Sequence, residues 1–236
     1  MRNTQAVAAM GAFRQQRRIS DLISNNLSNV QTAGFKKDVP IFHNLLDQTL
    51  DRFRDNQPDG IKTNFHQGNI EKGGNILDVA IEGEGFFKVK TPQGIRYTRA
   101  GNFELNKDNL LVNGNGFPVM GKQGEITLRG QTISIERDGA IKADGGVVDQ
   151  IALVTFSNPD FLRKEGNTLF RLEDPQTEQE VPDSQLLQGA LESSNVNPVE
   201  EMVNLIDSLR SYESCLKIIQ GHDEMDGKAV NDVGKV

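Results

Sequence analysis

The sequence predicts an α+β protein in which paired N- and C-terminal helices form a helical core domain beside one central, mostly-β domain. Three observations predict it. Apolar residues recur at helical spacing at both ends, and short aliphatic and aromatic runs in the middle are punctuated by glycine-bearing turns. The ends also differ in charge: residues 1–38 hold six Lys/Arg against two Asp/Glu, while residues 183–236 hold four against ten. Opposite charge and matching stripes predict helices that pack on each other. The alternative is that each stripe docks separately on the β-module. Against it, a helix of about 23 residues spans about 35 Å, long for the face of so small a domain.

Taken in order, Ala6, Met10 and Phe13 begin the first stripe, and Ile19, Leu22, Ile23, Asn26, Leu27 and Val30 continue it. It stops at Thr32-Ala33-Gly34, where glycine can take the left-handed conformation that ends a helix. Residues 39–77 read as a connector. It holds a short helical stretch (Phe42, Leu45, Leu46, Thr49, Leu50) and a polar, extended link at 55–60.

The β-rich domain is assigned to residues 78–182. Its runs include Phe86-Phe87-Lys88-Val89, Ile126-Thr127-Leu128, Ile133-Ser134-Ile135 and Ile151-Ala152-Leu153-Val154. Asn113-Gly114-Asn115-Gly116, Asp138-Gly139 and Asp144-Gly145-Gly146 are the turns. Residues 183–236 close the chain as the C-terminal helix of the core domain. Asn197 is a good N-cap, Pro198 suits the first helical position, and Glu200 completes a capping-box spacing. Val199, Met202, Leu205, Ile206, Leu209, Tyr212, Leu216 and Ile219 then follow at spacings of three and four, so the helix is expected to end near Gln220, before Gly221.

Composition narrows the function. Apolar residues make up 36% of 236 and the mean hydropathy is -0.49, with no run of roughly 18 apolar residues, so no membrane insertion is expected. Met1 to Met10 is too polar for a cleavable secretion signal, and Arg14, Arg17 and Arg18 interrupt the residues after it. A net charge of -7, no Trp and two Tyr argue against nucleic acid, which needs clustered cations and stacking platforms.

One cysteine, Cys215, with His43, His66 and His222 scattered along the chain, gives no metal-ligand spacing; no metal or cofactor is expected. Glu82 and Glu84 read as solvated edge charges rather than a catalytic pair, and Gly83-Glu84-Gly85 lacks the rest of a phosphate-binding fingerprint. Asn106, Asp108 and Asp138 do not complete a calcium loop, and Ser193-Ser194 has no nucleophile-elbow context. The chain is not expected to be an enzyme.

Three stretches carry a resemblance. They are Ile23-Ser24-Asn25-Asn26-Leu27-Ser28-Asn29-Val30-Gln31-Thr32-Ala33-Gly34-Phe35-Lys36; Asp78 to Phe87 followed by Tyr97-Thr98-Arg99-Ala100-Gly101-Asn102-Phe103; and Ser194 to Val203 continuing to Arg210-Ser211-Tyr212-Glu213. In this order they resemble the axial proteins of the bacterial flagellum, the basal-body rod family. The single β-module and the tail after the last helix are most similar to the proximal-rod type; a distal-rod type is the alternative, and an exported β-module that binds a ligand is a weaker one. Ser28 and Gln31 stand where the family more often has Ala and Asn.

The resemblance implies a structural subunit that polymerises helically, with copies of itself and other rod subunits, into a periplasmic drive shaft carrying torque to the hook. It also implies export through the flagellar type III apparatus. Ile19, Ile23, Asn25, Asn26, Leu27, Val30, Met202, Leu205, Ile206, Leu209, Tyr212, Leu216 and Ile219 are the residues expected on the assembly helices. Leu209 is expected in a buried seam and Ser208 at an exposed position. The Asn25-Asn26 amides are expected to fix register between subunits.

Overall fold

The computed structural model describes residues 2–41, 60–130, 132–166, 168–173, 178–180 and 184–233. Its α-helices, among the described residues, are α1 (Arg2–Ser28) and α2 (Pro198–Val233). The strands between them begin with β1 (Asp38–Pro40), β2 (Ile61–Thr63), β3 (Ile70–Lys72), β4 (Val79–Glu82), β5 (Phe86–Thr91) and β6 (Gly94–Thr98). Next come β7 (Phe103–Leu105), β8 (Leu111–Asn113), β9 (Ile133–Ile135), β10 (Ala140–Ala143), β11 (Gly146–Gln150) and β12 (Leu153–Phe156). The last five are β13 (Leu162–Glu165), β14 (Leu169–Leu172), β15 (Glu178–Glu180), β16 (Gln185–Gln188) and β17 (Ala190–Glu192).

This architecture overturns the expected helical core domain. The protein is mostly β, with one helix at each end of the chain. The reason lies in where apolar side chains are buried. Of the buried apolar residues described, only Leu22 and Ile23 belong to a helix; the rest, from Phe35 to Val196, lie in the β-structure. Two helices can each cover one stripe of the other, and that is too little to enclose a core.

Residues 29–196 form one compact unit, and residues 1–28 with 197–236 form a second. In the β unit, β13-β14-β6-β5-β12-β15 make a six-stranded antiparallel sheet. The period of two along β5 splits two adjacent phenylalanines between opposite faces. Phe87 enters a core with Val79, Ile81, Phe103, Leu111, Val119 and Ile141, while Phe86 enters a second with Tyr97, Val154, Phe156 and Phe170. A three-stranded sheet, β11-β10-β9, turns at Asp144 and Gly145, whose φ values of +49° and +86° make the two-residue hairpin that this dipeptide predicts. Ile126 and Leu128, expected in a strand, lie in an irregular segment touching its neighbours by isolated bridges, yet both are buried.

The β unit reaches beyond residues 78–182 on both sides. β1 pairs with β2, β3 with β17 and β4 with β16, so parts of the expected connector and residues 185–192, expected in the helical end, are strands. The short helical stretch expected at 42–50 and, apart from Gly60, the link expected at 55–60 lie outside the described residues. α2 starts where its cap predicts, with the Asn197 side chain accepting from the Val199 and Glu200 amides at 3.1 and 3.4 Å. It runs past Gly221 and Gly227 to Val233, because each interior glycine weakens a helix by only about 1 kcal/mol relative to alanine.

Candidate functional site

In the terminal unit α1 and α2 run antiparallel, and polar groups make the hydrogen bonds of their seam. The Gln16 amide donates to the Ser208 carbonyl at 2.9 Å and to its hydroxyl at 2.8 Å. The Ser20 and Ser208 hydroxyls lie 2.7 Å apart, and Ser20 also donates to the Gln16 carbonyl at 3.1 Å. Further along, the fully buried Asn26 amide faces the buried Glu201 carboxylate at 3.5 Å. Apolar groups flank this line: Phe13 and Tyr212 stack with ring centroids 4.8 Å apart, and Ile19, Leu205 and Leu216 are half-buried.

The rest of α2 is arranged the other way round. Val199, Met202, Val203, Ile206 and Leu209 are each 49–67% exposed and form one face over nearly three turns. Ser208, expected to be exposed, is buried, and Leu209, expected in the buried seam, faces solvent. Spacing located the helix and one apolar stripe expected to be buried; the face that is buried runs through Glu201, Leu205, Ser208 and Tyr212, whose polar members do not register as an apolar stripe. Among the other expected assembly residues, Ile23 and Asn26 are buried, Leu27 and Val30 half-buried and Asn25 exposed. Ile219 lies on α2, and its side chain is outside the described residues. Asn26 meets a partner in its own chain, Glu201, rather than only a neighbour's backbone.

A second feature lies inside the β unit. Glu192, at the end of β17, is 1% exposed and accepts from Lys36 Nζ at 2.5 Å, Arg99 Nη1 at 3.3 Å and the Gly68 amide at 2.9 Å. Lys36 also donates to the His66 carbonyl, and Arg99 to the Gly83 carbonyl. Gly34, at φ +67°, sits so close to the Arg99–Ala100 backbone that a methyl group there would fall 2.3 Å from the Ala100 nitrogen. Asn195 accepts from the Lys37 amide and donates to the Asn64 and His66 carbonyls. Lys164 caps the Phe35 ring, 3.8 Å from its centroid, and bonds Asp38. Gly34–Lys36, Arg99–Ala100 and Ser194–Asn195 come from three separated motifs of the sequence, and they meet here.

Burial lowers the basicity of Lys36, with the attraction of Glu192 working against that; Arg99 and Lys164 shift down for the same reason, opposed by Glu192 and Asp38 respectively. The cluster is a fastening. Lys36 follows the end of α1 by eight residues and Glu192 precedes the start of α2 by six, so the two chain passages that leave the β unit are tied at one point within it. Gly34, Lys36 and Arg99 lay in stretches that stood out in the sequence. Glu192 carried no local signal, because its meaning depends on partners 93 and 156 residues away.

Among the described residues no group of three or more His, Cys, Asp or Glu could hold a metal ion. No described helix is long and apolar enough to cross a membrane. Asn106 and Asp138, weighed as calcium ligands, use their side-chain oxygens to accept from nearby backbone amides.

Two family models match the chain: the flagellar basal body rod FlgEFG protein C-terminal model over residues 187–232, and the flagellar hook protein FlgE/F/G D1 domain model over residues 80–143. A flagellar basal-body rod protein FlgF from Caulobacter vibrioides is 35% identical over 96% of this chain and 97% of its own length. Flagellar basal-body rod proteins FlgG from Borreliella burgdorferi and Buchnera aphidicola are 37% and 34% identical, over 95% and 87% of this chain and 96% and 90% of their own lengths.

Proposed function

Because this chain belongs to the flagellar basal-body rod protein family, we propose that it is a structural subunit of the rod, of the FlgF proximal type, with no catalytic role. Subunits polymerise helically with copies of themselves and with other rod proteins into the periplasmic shaft that carries torque to the hook. They reach it by flagellar export. The alternative within the family is a FlgG-type distal subunit.

One observation carries the reading: five large apolar side chains on one face of α2 are about half exposed or more. The helices of neighbouring subunits are the occupants the family supplies, and a face that finds its cover on the next subunit, without closing a ring, generates a helical tube. Ile19, Ile23, Asn26, Leu27, Leu205, Tyr212 and Leu216 shape the pair that presents this face, Val30 follows α1 and Asn25 is exposed beside it, while Met202, Ile206 and Leu209 make the contact. The organisation proposed is a terminal helical region for assembly and a β-rich region between its two halves. The Lys36–Glu192–Arg99 fastening suits a load-bearing subunit, since both chain passages out of the β unit are held by buried charge pairs.

A ligand-binding β-module is the competing reading. The cleft of about 600 Å³ over Asn64–Gln67, Glu84 and Arg99 carries charges of both signs, and its Arg99 is already engaged by Glu192 and Gly83. The test is Leu209→Asp and Ile206→Asp, made separately. Each is expected to leave the melting temperature of the purified chain unchanged and to abolish complementation of motility and rod assembly in a strain lacking the protein. Full motility with either variant would remove the proposal.

A further inference from the structure

We infer that Ser208, with Gln16 and Ser20, is a positioning element that sets the register and rotation of α2 against α1, and so fixes which way the apolar face of α2 points. The inference rests on the assembly reading proposed for that face. Ser208 is 4% exposed and is the common partner of the seam: its carbonyl and hydroxyl both accept from Gln16, and its hydroxyl meets that of Ser20. All three separations are below 3 Å. Sliding one helix by a single turn moves the groups by about 5.4 Å and breaks every one of these bonds. Rotating α2 does the same.

Apolar contacts discriminate far less. Leu205 or Leu216 would find comparable surroundings one turn away, because dispersion and burial have no fixed direction. A buried polar group has a direction and a partner, which is how a single polar residue can fix the register of paired helices. Ser208 lies on the opposite side of α2 from Val199 and Ile206 and about a quarter turn or more from Leu209. Anchoring it to Gln16 and Ser20 therefore aims the whole exposed row. The small side chains also let the two helix backbones approach closely enough for Gln16 to reach the Ser208 carbonyl, whose helical hydrogen bond it supplements.

The test uses the full chain with Cys215→Ser, spin labels at the exposed positions Arg14 and Asn204, and a pulsed dipolar distance measurement. With the native seam one narrow distance is expected. In Gln16→Leu/Ser20→Ala/Ser208→Ala the helical circular dichroism is expected to persist while the distribution splits or shifts by about 5 Å, and motility complementation by the unlabelled triple variant is expected to be lost.

Ser208→Ala alone decides the matter if the triple variant loses helicity. It should broaden the distribution at native helical content, and Ser208→Thr, which keeps the hydroxyl, should narrow it again. A single unchanged distance in Ser208→Ala, or full motility with a broadened one, would overturn the inference. Neither result touches the assembly reading, which stands or falls on Leu209→Asp and Ile206→Asp.

Discussion

The β unit and the helix pair solve the burial problem in opposite ways. In the β unit apolar side chains go inward on both faces of β5, and the buried cations Lys36 and Arg99 both pair with the Glu192 carboxylate. In the helix pair hydrogen-bonded polar side chains share the seam with half-buried apolar ones, and five large apolar side chains of α2 stand outside. The first unit has the composition of a self-sufficient fold. The second has an interior that specifies geometry and an exterior whose stabilisation comes from other molecules. A fold's stability and its capacity to assemble are thus assigned to different residues, and mutations should separate them.

The largest effect should come from Glu192→Gln. Loss of the carboxylate charge leaves Lys36 buried without a counter-charge and Arg99 with only the attraction of Glu84, a change worth about 3–5 kcal/mol. Urea unfolding followed by β-sheet circular dichroism should show the midpoint fall accordingly. Lys36→Met should cost much less, because Glu192 keeps Arg99 and the Gly68 amide. Equal effects from the two variants would mean that the cluster does not work as a charge-balanced unit.

A smaller contrast should appear in hydrogen exchange. Amides of α2 around Leu205 to Leu216 should open at a lower free energy than those of β5, since a seam of hydrogen bonds, each worth about 0.5–1.5 kcal/mol net, has among the described residues less fully buried apolar area behind it than β5 has. Co-opening of the two regions would erase the distinction between them.

The smallest effect is one of pH and belongs to the β unit alone. Glu178 accepts from Lys88 Nζ at 2.7 Å and the Tyr97 hydroxyl at 2.6 Å. Burial pushes its carboxyl up, but these bonds and the Lys88 charge outweigh that and hold it below the usual 4.5. The unfolded chain therefore takes up the proton first as pH falls. The stability Glu178 contributes is present above about pH 4.5 and is lost as pH drops through its depressed native value. Glu178 is partly exposed, so less than about 1 kcal/mol is expected. Glu178→Gln should flatten the acid limb of the stability curve by that amount, and an unchanged limb would assign the acid sensitivity elsewhere.

Local signals were legible where one short segment decides the outcome. Asn197-Pro198 placed the start of α2, Asp144-Gly145 placed a hairpin, and the Phe86-Phe87 run placed the central strand. The family was legible too, in motif stretches whose residues meet around Lys36 and Arg99. The sequence misled where the answer depends on distant partners. Met202, Ile206 and Leu209 have helical spacing whether they face a core or solvent, so periodicity promised a helical core that two helices cannot enclose. Ser208 was invisible because a buried serine looks like a surface one until Gln16 and Ser20 are placed beside it. Residues 185–192 fall in the range read as the C-terminal helical end, yet 185–188 and 190–192 pair with strands more than 90 residues earlier.

Those late pairings bear on the order of events in folding. β16 joins Gln185 to Glu82, and β17 joins Ala190 to Lys72, so the closing strands of the β unit are among its last residues to be made. Pairings of such sequence separation carry a large loop-closure entropy and slow the search for the native topology. Until β17 arrives, Lys36 and Arg99 have no Glu192, and burying them would leave both cations without the carboxylate they share. The nascent chain is thereby kept from closing around an incomplete core. Its final step should be a slow, cooperative docking in which a single carboxylate arrives together with the strand that carries it.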